Sequence, residues 1–271
     1  MKRVAFQGER GAYSESAVYK FFGTSTEVKP CKDFRSVFES VAKNETPYGV
    51  VPVENSLEGS VNQNYDLFLE YDLKVCGEVI VKIEHCLIAN PSTKLEEVKA
   101  VYSHPQALAQ CRNFLERLGR EMIPTYDTAG SVKMLKEKGL KNAAAVASER
   151  AAEIYYMKIL ARDIADNKEN YTRFFVLSKD DSPLTGKDKT SIIFAAVHEP
   201  GSLYNALGEF AKRNINLTKI ESRPTKHTPW EYNFYLDFEG HRNETRCSEA
   251  LQALGKYSVF IKILGSYPKA V

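Results

Sequence analysis

The chain has 271 residues, which is enough for one large domain or two modest ones. Hydrophobic residues make up 43% of it and charged residues 27%, a composition that excludes a disordered or low-complexity protein. The 37 Lys and Arg residues nearly balance the 35 Asp and Glu residues and form no basic run, so we expect no nucleic-acid partner.

Short strand-like runs alternate with helical periods over the first two thirds of the chain, which favours an α/β fold with a largely parallel sheet. Asp33 precedes apolar residues at helical spacing and is a good N-cap. Predicted strands cover 3–7, the neighbourhood of Val28, 48–53, 98–102, 122–126, 143–147 and 172–177, and a long β-rich stretch covers 74–88. Predicted helices cover 13–22, the segment after Asp33, 64–70, the segment after Pro105, 128–138 and 148–156.

This order of elements predicts two similar α/β lobes. We expect the stretch 74–88 to carry the chain from one lobe into the other, and strand 172–177 to return it to the first lobe. Lobe one then comprises about 1–80 and 168–180, and lobe two about 81–167. A cleft between two such lobes is a typical site for a small ligand.

A smaller domain is predicted after the two lobes. The polar segment 181–188 contains Pro and Gly and is predicted to be a linker. Beyond it the strands and helices follow the order β-α-β-β-α-β, at 191–197, 203–212, 217–222, 231–239, 244–256 and 258–267. This is the order of a ferredoxin-like domain, which we place at 189–271.

Cysteine and histidine spacing indicates no metal site and no disulfide framework. The five cysteines lie far apart without a C-x-x-C pair, and the five histidines show no metal-binding spacing. No segment approaches 18 consecutive apolar residues, and the start lacks the features of a signal peptide. We therefore expect a cytoplasmic protein without a membrane partner.

Polar turns follow several predicted strands, where α/β sheets place their ligands. The turn at 8–15 either holds an anion at the start of a helix or is a tight turn in which Ser14 caps that helix. Glu54, Asn55 and Ser56 follow strand 48–53, where they either serve a substrate or provide ordinary turn chemistry.

A second polar turn, at 103–106, occupies the equivalent place in lobe two. Ser103 or His104 there either faces a ligand or caps the helix that begins at Pro105. Thr172 and Arg173 begin the strand that returns to lobe one, and both side chains suit the recognition of oxygen atoms. Arg173 either binds a substrate carboxylate or points away from Thr172, because successive strand residues face opposite sides.

Taken together in order, several of these motifs match one family. They are Gly11-Ala12-Tyr13-Ser14-Glu15, Pro52-Val53-Glu54-Asn55-Ser56 with Gly59, Ser103-His104-Pro105-Gln106 with Gln110-Cys111, Ala145-Val146-Ala147-Ser148, and Thr172-Arg173-Phe174. Glu221-Ser222-Arg223-Pro224 and Leu264-Gly265-Ser266-Tyr267-Pro268 resemble parts of that family's ACT regulatory domain. The chain resembles a monofunctional prephenate dehydratase with a C-terminal ACT domain.

The resemblance implies a fold and a reaction. The fold is a two-lobed, periplasmic-binding-protein-like (type 2) catalytic domain at 1–180 with a ferredoxin-like ACT domain at 189–271. The reaction converts prephenate to phenylpyruvate, water and carbon dioxide without a cofactor. The resemblance places catalytic roles on Thr172, Asn55, Ser103, Gln110 and Glu54, and substrate contacts on Ser14, Ser56, Arg173, Phe174, His104 and Gln106.

The resemblance also implies feedback control by L-phenylalanine, bound between ACT domains of a homodimer or homotetramer. The effector contacts carry over onto Gly201, Ser202 and Leu203 and onto a turn formed by Glu221, Ser222, Arg223 and Pro224. One departure concerns Tyr204, which is bulkier than the residue that the family often has there and leaves the effector affinity open.

Three alternatives to a prephenate dehydratase are weighed against this resemblance. An arogenate dehydratase, or an enzyme of dual specificity, performs the same elimination on the transaminated substrate. A non-catalytic amino-acid sensor would need an output module for which the two predicted domains leave no residues. An iron-dependent aromatic hydroxylase would need clustered His ligands that the sequence lacks. The mechanism we expect is a hydrogen bond from Thr172 to the leaving hydroxyl group.

Overall fold

The computed structural model describes residues 2–225 and 231–270, and these form two compact units. Unit 1 comprises Met1–Glu70 and Val79–Phe174, and unit 2 comprises Tyr71–Glu78 and Phe175–Val271. None of the helices in the described ranges combines the length and apolarity needed to cross a membrane.

The first lobe of unit 1 is built on one sheet, with strand order β2-β1-β3-β11-β5 and β4 paired to β3. The early strands are β1 (Arg3–Gln7), β2 (Glu27–Cys31), β3 (Tyr48–Asn55), β4 (Gly59–Ser60) and β5 (Lys74–Lys82), and the helices are α1 (Tyr13–Phe22), α2 (Phe34–Ala42) and α3 (Asn62–Glu70). Strand β1 pairs in parallel with both β2 and β3, as the α/β pattern predicts.

The start of α2 confirms one capping prediction and the start of α1 corrects another. The Asp33 carboxylate accepts a hydrogen bond from the backbone N–H of Ser36 at 2.8 Å, so Asp33 caps α2. Ser14 is not an N-cap: it lies inside α1, whose N-cap is Ala12. Glu15 instead accepts from the Gly11 N–H at 2.7 Å, because a carboxylate one turn into a helix can reach back to its start.

The second lobe is built on a sheet with strand order β10-β6-β9-β7-β8. Its elements are β6 (Cys86–Ala89), β7 (Ala100–Ser103), α4 (Pro105–Gln110), α5 (Arg112–Leu118), β8 (Glu121–Pro124), α6 (Thr128–Glu137), β9 (Ala143–Ala147), α7 (Glu149–Tyr155) and β10 (Lys158–Ala161). The chain then re-enters the first sheet as β11 (Tyr171–Ser178), which confirms the predicted return.

The stretch 74–88 is two strands, β5 and β6, which belong to different sheets, so it carries the chain from one lobe into the other as predicted. The second lobe differs from the sequence prediction in two places. The helix predicted after Pro105 breaks at Cys111 into α4 and α5. Strand β10 was not predicted, since its four residues, one lysine followed by three apolar residues, do not alternate between polar and apolar.

Unit 2 contains the predicted β-α-β-β-α-β order. Its elements are β12 (Asp188–Ala196), α8 (Ser202–Ala211), β13 (Leu217–Pro224), β14 (Tyr232–Glu239), α9 (Thr245–Leu254) and β15 (Ser258–Pro268). All neighbours in the sheet order β13-β14-β12-β15 are antiparallel. Ile192 and Phe194 point from β12 into a core with Phe210 of α8 and Leu254 of α9, and that core holds one face of the sheet against the helices.

Unit 2 also includes residues 71–78 and 175–180, which lie outside the C-terminal domain predicted at 189–271. The reason lies in the packing of β5, whose Val75 backbone approaches Gly265 of β15 so closely that a Cβ at Gly265 would stand 2.1 Å from the Val75 carbonyl oxygen. Glu78 of β5 also forms a buried ion pair with Lys189 of β12, with Nζ and Oε2 3.1 Å apart. The segment 181–188, predicted as a linker, lies within this unit.

Candidate active site

Unit 1 contains a cavity of about 380 Å³, a size typical of small-molecule sites. Residues from both lobes line it, because it lies where the strands of the two sheets end and helices begin. Of the residues predicted to bind or transform a substrate, the cavity is lined by Thr172, Asn55, Gln110, Ser14, Phe174, His104 and Gln106.

Asn55 and Thr172 form the centre of the site. Asn55 ends β3, and its Nδ2 donates to Thr172 Oγ1 of β11 at 3.0 Å. Asn55 Oδ1 accepts from the backbone N–H groups of Leu57 and Glu58, both at 3.0 Å, and these two bonds fix the orientation of the amide. Thr172 therefore accepts from Asn55, and its own proton is free to point elsewhere.

A chain of hydrogen bonds extends from this pair along the wall of the cavity. Asn55 Nδ2 also donates to Asn170 Oδ1 at 2.7 Å, and Asn170 Nδ2 donates to Gln110 Oε1 at 3.0 Å. Gln110 Oε1 lies 3.0 Å from His85 Nε2, and His85 Nδ1 lies 3.1 Å from the Tyr13 hydroxyl. These polar groups are largely shielded from water, which strengthens hydrogen bonds between them.

The starts of two helices lie at the cavity. Residues 12–14 at the start of α1 and residues 127–128 at the start of α6 line the cavity, and the N-terminus of a helix attracts negative charge. Among the described residues that line the cavity, Asp127 carries a carboxylate and none is Lys or Arg. Its Oδ1 accepts from Gly130 N at 2.6 Å, but burial outweighs this bond and raises the pKa of Asp127.

The turn at 8–15 is better explained as a tight turn than as an anion cradle. The N–H of Gly8 donates to the Cys31 carbonyl, and the N–H of Ala12 donates to the Glu9 carbonyl. With Gly11 N also bonded to Glu15, three of the backbone donors of this turn are already used inside the protein.

Four residues predicted to act on the substrate do not line the cavity. Glu54 and Arg173 neighbour Asn55 and Thr172 on their strands, so they face the opposite side, where their charged groups lie 3.6 Å apart. Ser103 is fully buried and donates to the Val146 carbonyl at 2.6 Å. Ser56 donates to the Glu169 carbonyl at 3.0 Å and accepts from the N–H of Tyr171.

His104 confirms the capping alternative for the second turn. It is the N-cap of α4, and its Nδ1 accepts from Gln106 N at 3.3 Å. Both residues nevertheless line the cavity, so capping and a contact with a ligand are compatible at this position.

The residues predicted to contact an effector lie in unit 2. Gly201 is the N-cap of α8 at a φ of +83°, and Ser202 and Leu203 begin that helix. The residues 221–224, predicted as a turn, are instead the last four residues of β13, because their backbone pairs with β14. Tyr204 is 80% exposed, so its bulk projects away from the core of the unit.

The sequence assigned no role to three residues that line the cavity, Tyr13, His85 and Asp127, or to Asn170, which is hydrogen-bonded to Asn55 beside it. The position of Asp127 could have been predicted from the sequence, since it directly precedes the predicted helix 128–138 and Asp is a good N-cap. Asn170 lies two positions before Thr172, the spacing that puts two strand residues on one side. Among the described residues, which exclude His227, no three His, Cys, Asp or Glu side chains lie close enough to hold a metal ion.

Comparison with known proteins decides the family. The model of the family described as prephenate dehydratase matches residues 4–182, which include both lobes and the cavity. The chain belongs to the prephenate dehydratase family. Its reaction is the family's: prephenate loses carbon dioxide and water to give phenylpyruvate, a step of L-phenylalanine biosynthesis.

Two curated relatives show the range within the family. The chain is 47% identical to a bifunctional chorismate mutase/prephenate dehydratase of Aquifex aeolicus, over 99% of this chain and 74% of the relative. It is 46% identical to arogenate dehydratase/prephenate dehydratase 2 of Arabidopsis thaliana, a chloroplastic protein, over 98% of this chain and 72% of the relative.

Two solved structures share the whole architecture. A prephenate dehydratase of Arthrobacter aurescens in complex with L-Phe superimposes with a TM-score of 0.90, at 32% identity over 98% of this chain and 90% of that one. GqqA, described as a novel type of quorum quenching acylase, also gives a TM-score of 0.90, at 34% identity over 98% of each chain.

Proposed function

We propose that Thr172 assists the departure of the hydroxyl group of prephenate in the cavity of unit 1. The observation that carries this proposal is the bond from Asn55 Nδ2 to Thr172 Oγ1. Because Thr172 accepts this bond, its proton is available to a ligand, and an accepted hydrogen bond makes a hydroxyl a better donor. Asn170 and Gln110 hold Asn55 in this role.

The reaction needs assistance mainly at the leaving hydroxyl group. The bond between the ring and its carboxylate breaks, the released electron pair makes the ring aromatic, and the carbon–oxygen bond breaks as hydroxide leaves. The hydroxide takes one proton, ultimately from solvent, and becomes water. A hydrogen bond aimed at the oxygen where negative charge develops lowers the barrier more than it stabilises the bound substrate. The first helical residues of α1, Tyr13 and Ser14, lie at the cavity beyond the turn whose donors are used, and the start of this helix suits a substrate carboxylate. The start of α6 is already capped by the Asp127 carboxylate.

Arogenate is the second substrate that the cavity favours. It carries an ammonium group where prephenate has a keto group, and Asp127 offers a carboxylate inside the same cavity. An ammonium group beside a buried carboxylate gains a charge-assisted hydrogen bond, which a keto oxygen in that place does not provide. The arogenate dehydratases among the relatives agree with a dual substrate range.

Unit 2 is proposed to be an ACT domain that binds L-phenylalanine. Strand β13 runs parallel to β12, since both are antiparallel to β14, so Pro224 lies at the same end of the sheet as the turn into α8. The two predicted effector segments, 201–203 and 221–224, therefore share one end of the sheet. The L-Phe bound to the structural relative from Arthrobacter aurescens supports the choice of effector.

We also propose a homodimer or homotetramer, because the resemblance places L-phenylalanine between the ACT domains of two copies of the chain. Strands β13 and β15 lie at the two edges of the four-stranded sheet, and an edge strand is a ready surface for pairing with a second copy. The monofunctional assignment stays a prediction, since the chain covers 74% of a relative that is described as bifunctional.

One assay tests the proposed roles of Thr172, of the two substrates and of L-phenylalanine. Purified protein and a Thr172→Val variant are incubated separately with prephenate and with arogenate, with and without L-phenylalanine, and the products are followed over time. We expect Thr172→Val to lower kcat by about 100-fold or more, by analogy with lost oxyanion donors. Thr172→Ser is the matched control, because it keeps the hydroxyl and should retain most of the activity. Near-normal turnover by Thr172→Val would refute the role of the hydroxyl, and activity unaffected by L-phenylalanine would refute the effector.

A further inference from the structure

The hydrogen-bond chain beside Thr172 has a defined direction, which begins at fixed backbone groups. The N–H groups of Leu57 and Glu58 hold Asn55 Oδ1, so Asn55 Nδ2 must face Asn170 and Thr172. Asn170 then presents Oδ1 to Asn55 and Nδ2 to Gln110. Each amide fixes the orientation of the next one, because an amide has donors at one end and an acceptor at the other.

The direction of the chain also fixes Gln110. Its Oε1 accepts from Asn170 Nδ2 at 3.0 Å, and its Nε2 lies 3.5 Å from Glu58 Oε1, a carboxylate oxygen that can only accept. The oxygen of Gln110 therefore faces His85 Nε2 at 3.0 Å. Because that oxygen has no proton to give, His85 Nε2 must carry one.

The other ring nitrogen of His85 meets the Tyr13 hydroxyl, which has one proton and two acceptors. The hydroxyl lies 2.7 Å from the Glu84 carbonyl oxygen and 3.1 Å from His85 Nδ1. When His85 is neutral, Nδ1 can accept the Tyr13 proton. When His85 is protonated, Nδ1 donates to the Tyr13 oxygen and Tyr13 donates to Glu84. The bond from Nε2 to Gln110 is present in both states.

The surroundings of His85 hold it neutral near neutral pH. Its side chain is buried, and this burial lowers its pKa against the opposing effect of the bond to Gln110. The titratable groups nearest to these hydrogen bonds are Tyr13, Cys111 and, beyond Gln110, Glu58. Burial raises the pKa of Tyr13, and it raises the pKa of Cys111 to about 12. Cys86, beside Tyr13, also has its pKa raised by burial, so the two thiols and the phenol stay uncharged.

We propose that His85 is a positioning residue for the dehydration: its Nε2–H group holds Gln110 against Asn170, and Asn170 in turn holds Asn55 at hydrogen-bond distance from the Thr172 hydroxyl. This inference rests on the proposed role of Thr172. Without the donor at His85, Gln110 loses one of the hydrogen bonds that hold it in place, so Asn170 and then Asn55 are less tightly held in position. The backbone N–H groups of Leu57 and Glu58 still set which way the Asn55 amide faces, but its distance to the Thr172 hydroxyl becomes more variable. The transition state then loses part of its stabilisation, while the bound substrate keeps its carboxylate contacts.

The test compares His85→Phe, which removes both ring nitrogens, with His85→Gln, which keeps an N–H donor at about the reach of Nε2. We expect His85→Phe to lower kcat about 5- to 30-fold, the effect of one lost hydrogen bond and the disorder that follows it, with KM within about twofold of wild type. His85→Gln should recover most of the loss. Its kcat should follow the same pH profile as wild type, because the donor to Gln110 does not titrate. Circular dichroism and a thermal melt of each variant accompany the kinetics.

Several outcomes would overturn the proposal. One is a wild-type kcat for His85→Phe, and another is a folded His85→Gln variant that is as slow as His85→Phe. A third is the loss of one limb of the pH profile in His85→Gln, which would make His85 a proton donor. A variant-free measurement is the ¹⁵N spectrum of wild-type protein labelled at histidine, which should show the neutral Nε2–H tautomer for His85. The neutral Nδ1–H tautomer would overturn the proposal even where a variant fails to fold.

Thr172→Val, assayed in parallel, separates the two levels of inference. Full activity of that variant refutes the proposed function. An impaired Thr172→Val beside a fully active His85→Phe refutes the role of His85 alone.

Discussion

Gly11 provides a sharp test of how the two lobes of unit 1 meet. Its φ is +91°, a conformation that costs an L-residue about 1–2 kcal/mol. A Cβ at this position would also stand 2.7 Å from the Cα of Ala151 at the start of α7, and relieving such an overlap typically costs about 1–3 kcal/mol. We expect Gly11→Ala to lower the free energy of unfolding by about 2–5 kcal/mol.

Gly23 offers the matched control, because its φ is +89° and nothing lies within 4 Å of the Cβ it would gain. Gly23→Ala should therefore cost only the conformational part, about 1–2 kcal/mol. Urea unfolding followed by circular dichroism measures both variants. Equal losses in the two variants would refute the steric contact with Ala151.

The same pair of variants tests the link between this contact and the cavity. Ser148 donates to the Gly11 carbonyl at 2.6 Å, and the residues directly after Gly11 line the cavity. Displacing the start of α1 should therefore lower kcat/KM for prephenate in Gly11→Ala but not in Gly23→Ala. Unchanged kcat/KM in Gly11→Ala would show that the contact does not position the site.

Two further predictions concern buried charges. Glu78→Ala leaves the Lys189 ammonium buried without its carboxylate and should lower the free energy of unfolding in urea by about 3–5 kcal/mol. The double variant Glu78→Leu/Lys189→Met removes both charges and should recover most of this loss. Equal losses in the single and double variants would contradict the reasoning. Asp127→Asn keeps the cap on Gly130 but removes the buried charge. Burial raises the pKa of Asp127 in the folded protein, so wild-type stability falls as pH rises from the ordinary pKa of 3.8 to the raised one. The advantage of Asp127→Asn should therefore grow with pH across that interval and then level off. The variant should also lose activity with arogenate more than with prephenate, and a constant ratio of the two would remove Asp127 from substrate choice.

Local pattern in the sequence determined most of the secondary structure. Alternation and helical spacing depend on neighbours a few positions apart, so β1, α1 and β9 match their predicted bounds. The cap at Asp33 and the β-α-β-β-α-β order of unit 2 were readable for the same reason. The break at Cys111 was not, because the apolar spacing continues through it.

The tertiary structure alone decided which polar residues meet. Asn55 and Thr172 are 117 positions apart, and only the pairing of their strands brings the amide to the hydroxyl. The same strands turn Glu54 and Arg173 away, although they are the immediate neighbours of those two residues. His85 stands in an apolar stretch with nothing nearby in sequence to mark it, and its part in the site comes from contacts with Tyr13 and Gln110. Which side of a strand faces a cavity depends on register, and register is set by partners far away along the chain.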